Sequence, residues 1–159
     1  MNSEFNFINW MESAPYLYNY NNHKNILIYS NIIFILIAIC IIKYKKNYHE
    51  HYTKYSLSIL LITIMGFVSS KYHHCQCYDT HNNFKQWFKI DILFAFIISL
   101  VCLTCYYKNI NKEIIYLIIF TIIIFSYTPD ENNLHIYIIT HSLWHILVSL
   151  IFFLLIIKD

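Results

Sequence analysis

Five long apolar stretches, separated by short polar segments, constrain this chain more than any other feature. They run from about Asn25 to Ile42, Tyr55 to Tyr72, Phe88 to Tyr106, Glu113 to Tyr127 and Leu134 to Ile157. A helix needs about 17 to 25 mostly apolar residues to cross a bilayer, and only the fourth stretch is shorter than that. No stretch alternates with the period of two that a membrane strand requires. The sequence predicts an all-α transmembrane bundle of about five spans, folded as a single domain over residues 1–159.

The composition supports a membrane protein. Hydrophobic residues make up 58% of the chain and charged residues only 13%, with a mean hydropathy of +0.46. Soluble domains are about one quarter charged. The formal net charge of +2 at pH 7 is small, and the basic residues form no continuous stripe along the sequence. Both observations argue against nucleic acid as a partner. Membrane lipids are the expected partners.

The distribution of lysine predicts the orientation in the membrane. One side of the five-span arrangement carries Lys43, Lys45, Lys46, Lys54, Lys108, Lys112 and Lys158, and the other carries Lys24, Lys71, Lys85 and Lys89. Cytoplasmic loops are enriched in basic residues, so the first side is expected to be cytoplasmic. The N-terminus is then lumenal or extracellular, in the plasma membrane or a membrane of the secretory pathway.

Five polar residues stand out because polar groups at membrane depth are costly unless they are paired or ligated. Ser69 and His73 lie four positions apart at the end of the second stretch. Asp91 lies near the start of the third stretch, and His141 and His145 lie near the start of the last. With five crossings, the second span ends after two crossings, the third begins there and the last begins after four, so these three span ends lie on the same side of the membrane. The five side chains are therefore expected at similar depth, near the lumenal or extracellular face.

Three imidazoles from two helices suit a catalytic zinc site, with the fourth position left for water. Zn²⁺ is the expected cofactor. Asp91 would orient a ligand or take a proton from that water, and Ser69 would donate a hydrogen bond to a developing oxyanion. Taken singly, each residue has a simpler explanation: the histidines as a hydrogen-bonded core pair, Asp91 as a helix cap, and Ser69 bonded to its own helix. Their joint occurrence at one depth favours the metal site.

Three neighbouring residues are expected to lie outside the site. His74 follows His73 directly and so points about 100° away on a helix, towards headgroups or water. Cys75 and Cys77 are too close in sequence to form a disulfide with each other. They are expected to pack as thiols, unless one of them is bridged elsewhere.

The same residues carry a family resemblance. The runs SSKYHHC (Ser69–Cys75), DILFA (Asp91–Ala95) and THSLWHI (Thr140–Ile146) resemble the three signature regions of the CREST superfamily of membrane hydrolases. That superfamily includes the alkaline ceramidases, the progestin-and-adipoQ receptors and the transmembrane protein 8/myomaker family. The THSLWHI run, preceded by the polar turn TPDENN, and the pattern Ser-x-x-Tyr-His-x-Cys most resemble the transmembrane protein 8/myomaker branch.

The resemblance implies a zinc ion held by His73, His141 and His145, with Ser69 and Asp91 as the remaining polar residues of the family pattern. It implies a hydrolase, ceramidase-like or phospholipase-like, that cleaves an ester or amide of a lipid. The family has seven spans, so this chain would be a form shortened by two. The branch also includes cell-fusion proteins. A non-enzymatic membrane-remodelling protein with a structural metal is therefore the main alternative, and a receptor-like protein is a third.

The predicted topology can be tested with N-glycosylation acceptor sequences, which are modified only in the lumen. Five crossings place the two ends of the chain on opposite sides of the membrane. We expect an acceptor sequence added to the N-terminus to be glycosylated, and one added to the C-terminus to remain unmodified. Electrophoretic mobility before and after enzymatic deglycosylation measures both. Modification of both ends would contradict an odd number of crossings.

Overall fold

The structure is a computed structural model that describes residues 15–20, 23–45, 52–126 and 133–158. Within these ranges the chain forms six α-helices and one 3₁₀ turn, Tyr107–Asn109, and no strand. The helices are α1 (Asn25–Ser30), α2 (Ile32–Lys45), α3 (Tyr52–Tyr78), α4 (His81–Tyr106), α5 (Lys112–Ser126) and α6 (Leu134–Ile157). The predicted all-α helical bundle is confirmed. Lys46, Tyr127 and most of the TPDENN turn lie outside the described residues.

Four segments of the described chain are long and apolar enough to cross a membrane. They are Asn25–Tyr44, Tyr52–Tyr78, His81–Asn109 and Leu134–Ile157. The fourth predicted span forms α5, but its 15 residues extend only about 22 Å, less than the roughly 30 Å of a hydrocarbon core. The chain is therefore a multi-pass membrane protein in which α5 is shorter than a full span.

Although it is short, α5 returns the chain along the length of the bundle. Asn109, three residues before α5, donates a hydrogen bond of 2.7 Å to the carbonyl oxygen of Leu155, near the end of α6. At the other end of α5, the ring of Phe125 lies 5.0 Å from that of Trp144, in the first half of α6. Helices α5 and α6 are therefore antiparallel, and α6 begins at the end of the bundle where α3 ends.

The helices pack in the order α4, α3, α1–α2, α6 and α5, and α4 and α5 scarcely touch. The ring of helices is thus open along one side. In the most apolar 18-residue stretch of α6, 50% of the residues are buried in the protein, whereas in that of the α4 segment only 17% are buried. The last span, which carries two of the predicted ligands, is the most enclosed helix of the bundle.

Helices α3 and α4 extend beyond the spans predicted from hydropathy. The predicted spans end at Tyr72 and resume at Phe88, whereas α3 continues to Tyr78 and α4 begins at His81. Thr80 caps α4, because its hydroxyl accepts a hydrogen bond of 3.4 Å from the backbone N–H of Asn83. Hydropathy marks the part of a helix that lies in hydrocarbon, whereas the backbone hydrogen bonds continue into the polar region until a capping residue ends them.

The first span is broken at Asn31, where the side-chain amide donates a hydrogen bond of 2.8 Å to the carbonyl oxygen of Leu27. Gly66 of α3, the single glycine of the sequence, lies against this break. A Cβ atom at Gly66 would lie 3.1 Å from Cβ of Phe34 and 3.5 Å from the carbonyl oxygen of Asn31. The missing side chain therefore lets α3 approach the first span closely, as small residues do between membrane helices.

The variant Gly66→Leu tests this close contact. A leucine has no space between α3 and the first span, and overpacking of this kind costs about 1–3 kcal/mol. We expect a lower unfolding temperature in detergent, measured by differential scanning fluorimetry. The control is Phe67→Leu at the next position, where the native side chain is 64% exposed. Equal unfolding temperatures for the two variants would show that the contact at Gly66 is loose.

Candidate metal centre

Three buried histidines meet at the end of the bundle where α3 ends and α6 begins. His73 lies on α3, and His141 and His145 lie one turn apart on α6. One nitrogen from each ring lies within 4.8 Å of the other two. In the part of the chain that the structure describes, no other three His, Cys, Asp or Glu side chains are grouped in this way. The structure thus brings together the three histidines predicted as ligands, in an arrangement that can hold a metal ion.

A serine of the first span determines which nitrogen of His145 carries a proton. The Ser30 hydroxyl lies 2.8 Å from the carbonyl oxygen of Leu27 and 2.8 Å from Nδ1 of His145. The carbonyl oxygen can only accept a hydrogen bond, so the single hydroxyl proton of Ser30 is donated to it. Ser30 Oγ must then accept a hydrogen bond from Nδ1–H of His145. It follows that Nε2 of neutral His145 carries an unshared lone pair.

A glutamine determines which ring nitrogen of His73 carries the proton. The side-chain nitrogen of Gln76 donates hydrogen bonds of 2.6 Å to the Pro15 carbonyl oxygen and 2.9 Å to the Tyr137 hydroxyl. Its side-chain oxygen lies 2.8 Å from Nδ1 of His73. Because that oxygen can only accept, Nδ1 of His73 carries the proton and Nε2 carries the lone pair.

The two lone pairs therefore face each other. Nε2 of His73 lies 3.3 Å from Nε2 of His145, with no proton available to join them. The third ring, that of His141, is 8% exposed, and neither of its nitrogens makes a hydrogen bond. Two nitrogens bound at about 2.0–2.1 Å to one tetrahedral ion lie about 3.3–3.4 Å apart, so the observed separation fits a shared cation.

Ser69 and Asp91 lie at the same end of the bundle. Ser69 is one turn before His73 on α3, and Asp91 is in the first half of α4. Both residues are buried, and the Ser69 hydroxyl lies beside the Asp91 carboxyl group. Neither Ser69 Oγ nor Asp91 Oδ1 makes a hydrogen bond of normal geometry. The structure thus places Asp91 beside Ser69, one turn from His73 on α3, and the catalytic roles of both residues stay predictions.

The residues expected to lie outside the site do so. His74 is exposed, whereas His73 next to it is buried, as predicted. Cys75 and Cys77 are buried free thiols that hydrogen-bond to Asp79 and to the Lys24 backbone, respectively. Neither cysteine belongs to the group of possible ligands.

Two residues of the site, Ser30 and Gln76, were not predicted from the sequence. Gln76 lies three positions after His73, a helical spacing that brings the two side chains together and that could have indicated it. Ser30 is 115 positions from His145, and no local spacing connects the two. Both are the type of partner that orients histidine ligands of metals.

Comparison of the chain with models of protein families, with curated proteins and with solved structures found no match. The family resemblance consequently depends on the three sequence motifs and on the chemistry of the site that they form.

Removal of one histidine tests the metal centre. We expect His141→Ala to release most of the metal from the purified protein, because two imidazoles cannot complete the tetrahedral set. The matched control is His74→Ala, which removes an exposed imidazole from the same end of the bundle. Elemental analysis by mass spectrometry gives the metal content of each. Equal losses in the two variants would contradict the assignment of His141 as a ligand.

Proposed function

We propose that this protein is a zinc-dependent membrane hydrolase of the CREST superfamily that cleaves an ester or amide bond of a lipid. The observation that carries the proposal is the meeting of three buried histidines, two of them with lone pairs 3.3 Å apart, inside a membrane bundle. The lysine distribution favours a site at the lumenal or extracellular face, in the plasma membrane or the secretory pathway.

The ligand set supports zinc. Three neutral imidazoles, without thiolate or carboxylate, form a recurrent protein ligand set of catalytic zinc. Held by His73, His141 and His145, zinc would act as a Lewis acid and lower the pKa of a bound water towards about 7. Ser30 and Gln76 accept hydrogen bonds from Nδ1–H of His145 and His73, respectively, which fixes both rings and increases the basicity of the ligating nitrogens.

The neighbouring polar residues have the groups that hydrolysis needs. The Asp91 carboxylate accepts a proton from the attacking water and can pass it to the leaving group. The Ser69 hydroxyl donates a hydrogen bond to the oxyanion that develops on the substrate carbonyl. Both Ser69 Oγ and Asp91 Oδ1 are buried, and the two groups lie beside each other without a hydrogen bond of normal geometry, so both can turn to a bound substrate.

An apolar cavity that reaches Trp144, the neighbour of His141, favours a lipid substrate. It has a volume of about 270 Å³ and lies between α3, α4, α5 and α6, where the ring of helices is open. Its walls are almost entirely apolar, apart from Ser99 and Thr121. Trp144 connects it to the site, because this ring lines the cavity and lies 5.5 Å from the ring of His141. An acyl chain in this cavity would place the adjoining carbonyl near the histidines.

A membrane-remodelling or fusion protein with a structural metal is the second candidate. The observation that favours it is the scarce contact between α4 and α5, which leaves the ring of helices, and with it the cavity, open on one side. In that function the metal holds α3 to α6, and Ser69 and Asp91 take no part in chemistry.

Substitution of the two polar residues separates these functions. We expect Ser69→Ala and Asp91→Ala to retain zinc but to slow lipid hydrolysis by about 10²-fold or more, because each removes a group that acts in the transition state. Release of fatty acid from a panel of ceramides and phospholipids, measured by mass spectrometry with purified protein, gives the rates. The matched control is Ser70→Ala, the next residue on α3, which we expect to retain full activity.

The opposite result would support the second candidate. If the protein binds zinc and remodels membranes when Ser69 and Asp91 are alanine, and releases no fatty acid from any lipid of the panel, the hydrolase proposal is wrong.

A further inference from the structure

A short segment before the first span covers the end of the bundle where the histidines lie. We call residues 15–20 the strap. Its backbone is held to α3, since Leu17 N–H donates a hydrogen bond of 3.0 Å to the carbonyl oxygen of Gln76. The Leu17 side chain is fully buried in a cluster with Leu27, Cys77, Tyr137 and Ile138. The Tyr16 hydroxyl also donates to the backbone oxygen of Asp79. The strap is thus packed into the fold at several points.

Gln76 connects the strap to the candidate metal centre. Its side chain is fully buried, and all three of its hydrogen bonds have distances between 2.6 and 2.9 Å. Two run from its nitrogen to the Pro15 carbonyl of the strap and to the Tyr137 hydroxyl of α6. The third joins its oxygen to Nδ1 of His73. One side chain therefore contacts the strap, α6 and a candidate ligand.

The Pro15 carbonyl is the partner that fixes the orientation of this amide. A tyrosine hydroxyl can donate or accept, so Tyr137 is compatible with either orientation of the Gln76 amide. The Pro15 carbonyl can only accept. If the amide were turned over, two oxygens would face each other at 2.6 Å without a proton between them. While the strap is in place, the amide oxygen must point to His73.

Release of the strap would remove that restriction. In the turned orientation the amide would donate to Nδ1 of His73, and the proton of the neutral ring would move to Nε2. Nε2 is the nitrogen that faces His145, at 3.3 Å. Protonation there removes the lone pair that a metal needs. The position of the strap and the availability of one ligand are therefore linked through a single amide group.

We propose that Gln76 is a positioning residue that commits Nε2 of His73 to the metal, and that the strap, through the Pro15 carbonyl, holds Gln76 in the required orientation. The proposal rests on the metal-binding part of the proposed function and is independent of whether the site hydrolyses lipids. Because coupling between two equilibria is reciprocal, metal binding must stabilise the docked strap by the same factor by which the docked strap strengthens metal binding.

Substitution of Gln76 tests the first part. We expect Gln76→Met, which keeps the length of the side chain but removes the acceptor, to weaken Zn²⁺ binding by about 10- to 100-fold. Gln76→Glu loses the hydrogen bond to the Pro15 carbonyl, but either of its oxygens accepts from Nδ1–H of His73, so it no longer needs the strap for orientation and should restore affinity to within a few-fold of the native protein. The control is Gln86→Met, at an exposed position of α4, which should leave affinity unchanged. Competition with a chromophoric chelator measures affinity in the full-length protein in detergent.

A spectroscopic readout distinguishes positioning from a general loss of structure. Four-coordinate Co²⁺ has intense visible absorption, which decreases when a ligand is lost or replaced by water. We expect the Co²⁺ spectrum of Gln76→Glu to match the native one and that of Gln76→Met to be weaker, with similar unfolding temperatures for the two metal-free proteins. Native affinity and a native spectrum in Gln76→Met would overturn the proposal.

A double-variant cycle tests the role of the strap. Leu17→Ala removes the buried anchor of the strap, and Tyr18→Ala is the control because Tyr18 is 53% exposed. We expect Leu17→Ala to weaken Zn²⁺ binding in the native background but to have no further effect in the Gln76→Met background, because the strap acts through that side chain. Equal effects of Leu17→Ala in the two backgrounds would show that the strap does not act through Gln76.

The failures of the two proposals are distinguishable. If the native protein binds no Zn²⁺, the metal centre and this inference are both wrong. If it binds Zn²⁺ and hydrolyses lipid, while every Gln76 and Leu17 variant binds Zn²⁺ as tightly as the native protein does, only this inference is wrong. If it binds Zn²⁺ without hydrolysing lipid and the Gln76 effects are present, only the hydrolase is excluded.

Discussion

The facing nitrogens of His73 and His145, 3.3 Å apart in a membrane bundle, are the interaction on which the rest of the site depends. Each is an acceptor, because Ser30 and Gln76 accept hydrogen bonds from Nδ1–H and so keep the proton of each neutral ring on Nδ1. Two acceptors at this distance repel each other in a medium of low polarity, and a cation between them turns repulsion into attraction. A bound metal would thus stabilise the contact between α3 and α6 as well as serve chemistry.

The packing of the first span places Ser30 beside Nδ1 of His145. Ser30 lies directly before the break at Asn31, and the close approach of α3 at Gly66 lies against that break. The first span therefore packs between α3 and α6 at the depth of the histidines. The one position of the chain without a side chain helps to place a hydroxyl group beside His145.

The sequence predicted the fold class, because long apolar stretches indicate membrane helices. It also predicted the meeting of the histidines, because counting the crossings places the end of the second span and the start of the last span on the same side of the membrane. It did not predict the length of α3 beyond Tyr72, since hydropathy does not report where backbone hydrogen bonding ends. It also missed Ser30, whose contact with His145 arises from helix packing between distant segments. The spacing of Gln76 from His73 was a usable signal, but the orientation of its amide depends on the backbone carbonyl of Pro15, which no residue pattern encodes.

The central position of α6 has a consequence for biosynthesis. The last span lies between the first span and α5 and carries two of the three candidate ligands. A chain emerging from the ribosome inserts its earlier helices first, with His73 as its sole imidazole at the site. The groove that receives α6 must therefore remain accessible in the bilayer until that helix arrives. A metal ion could be held by all three imidazoles only after α6 has been inserted.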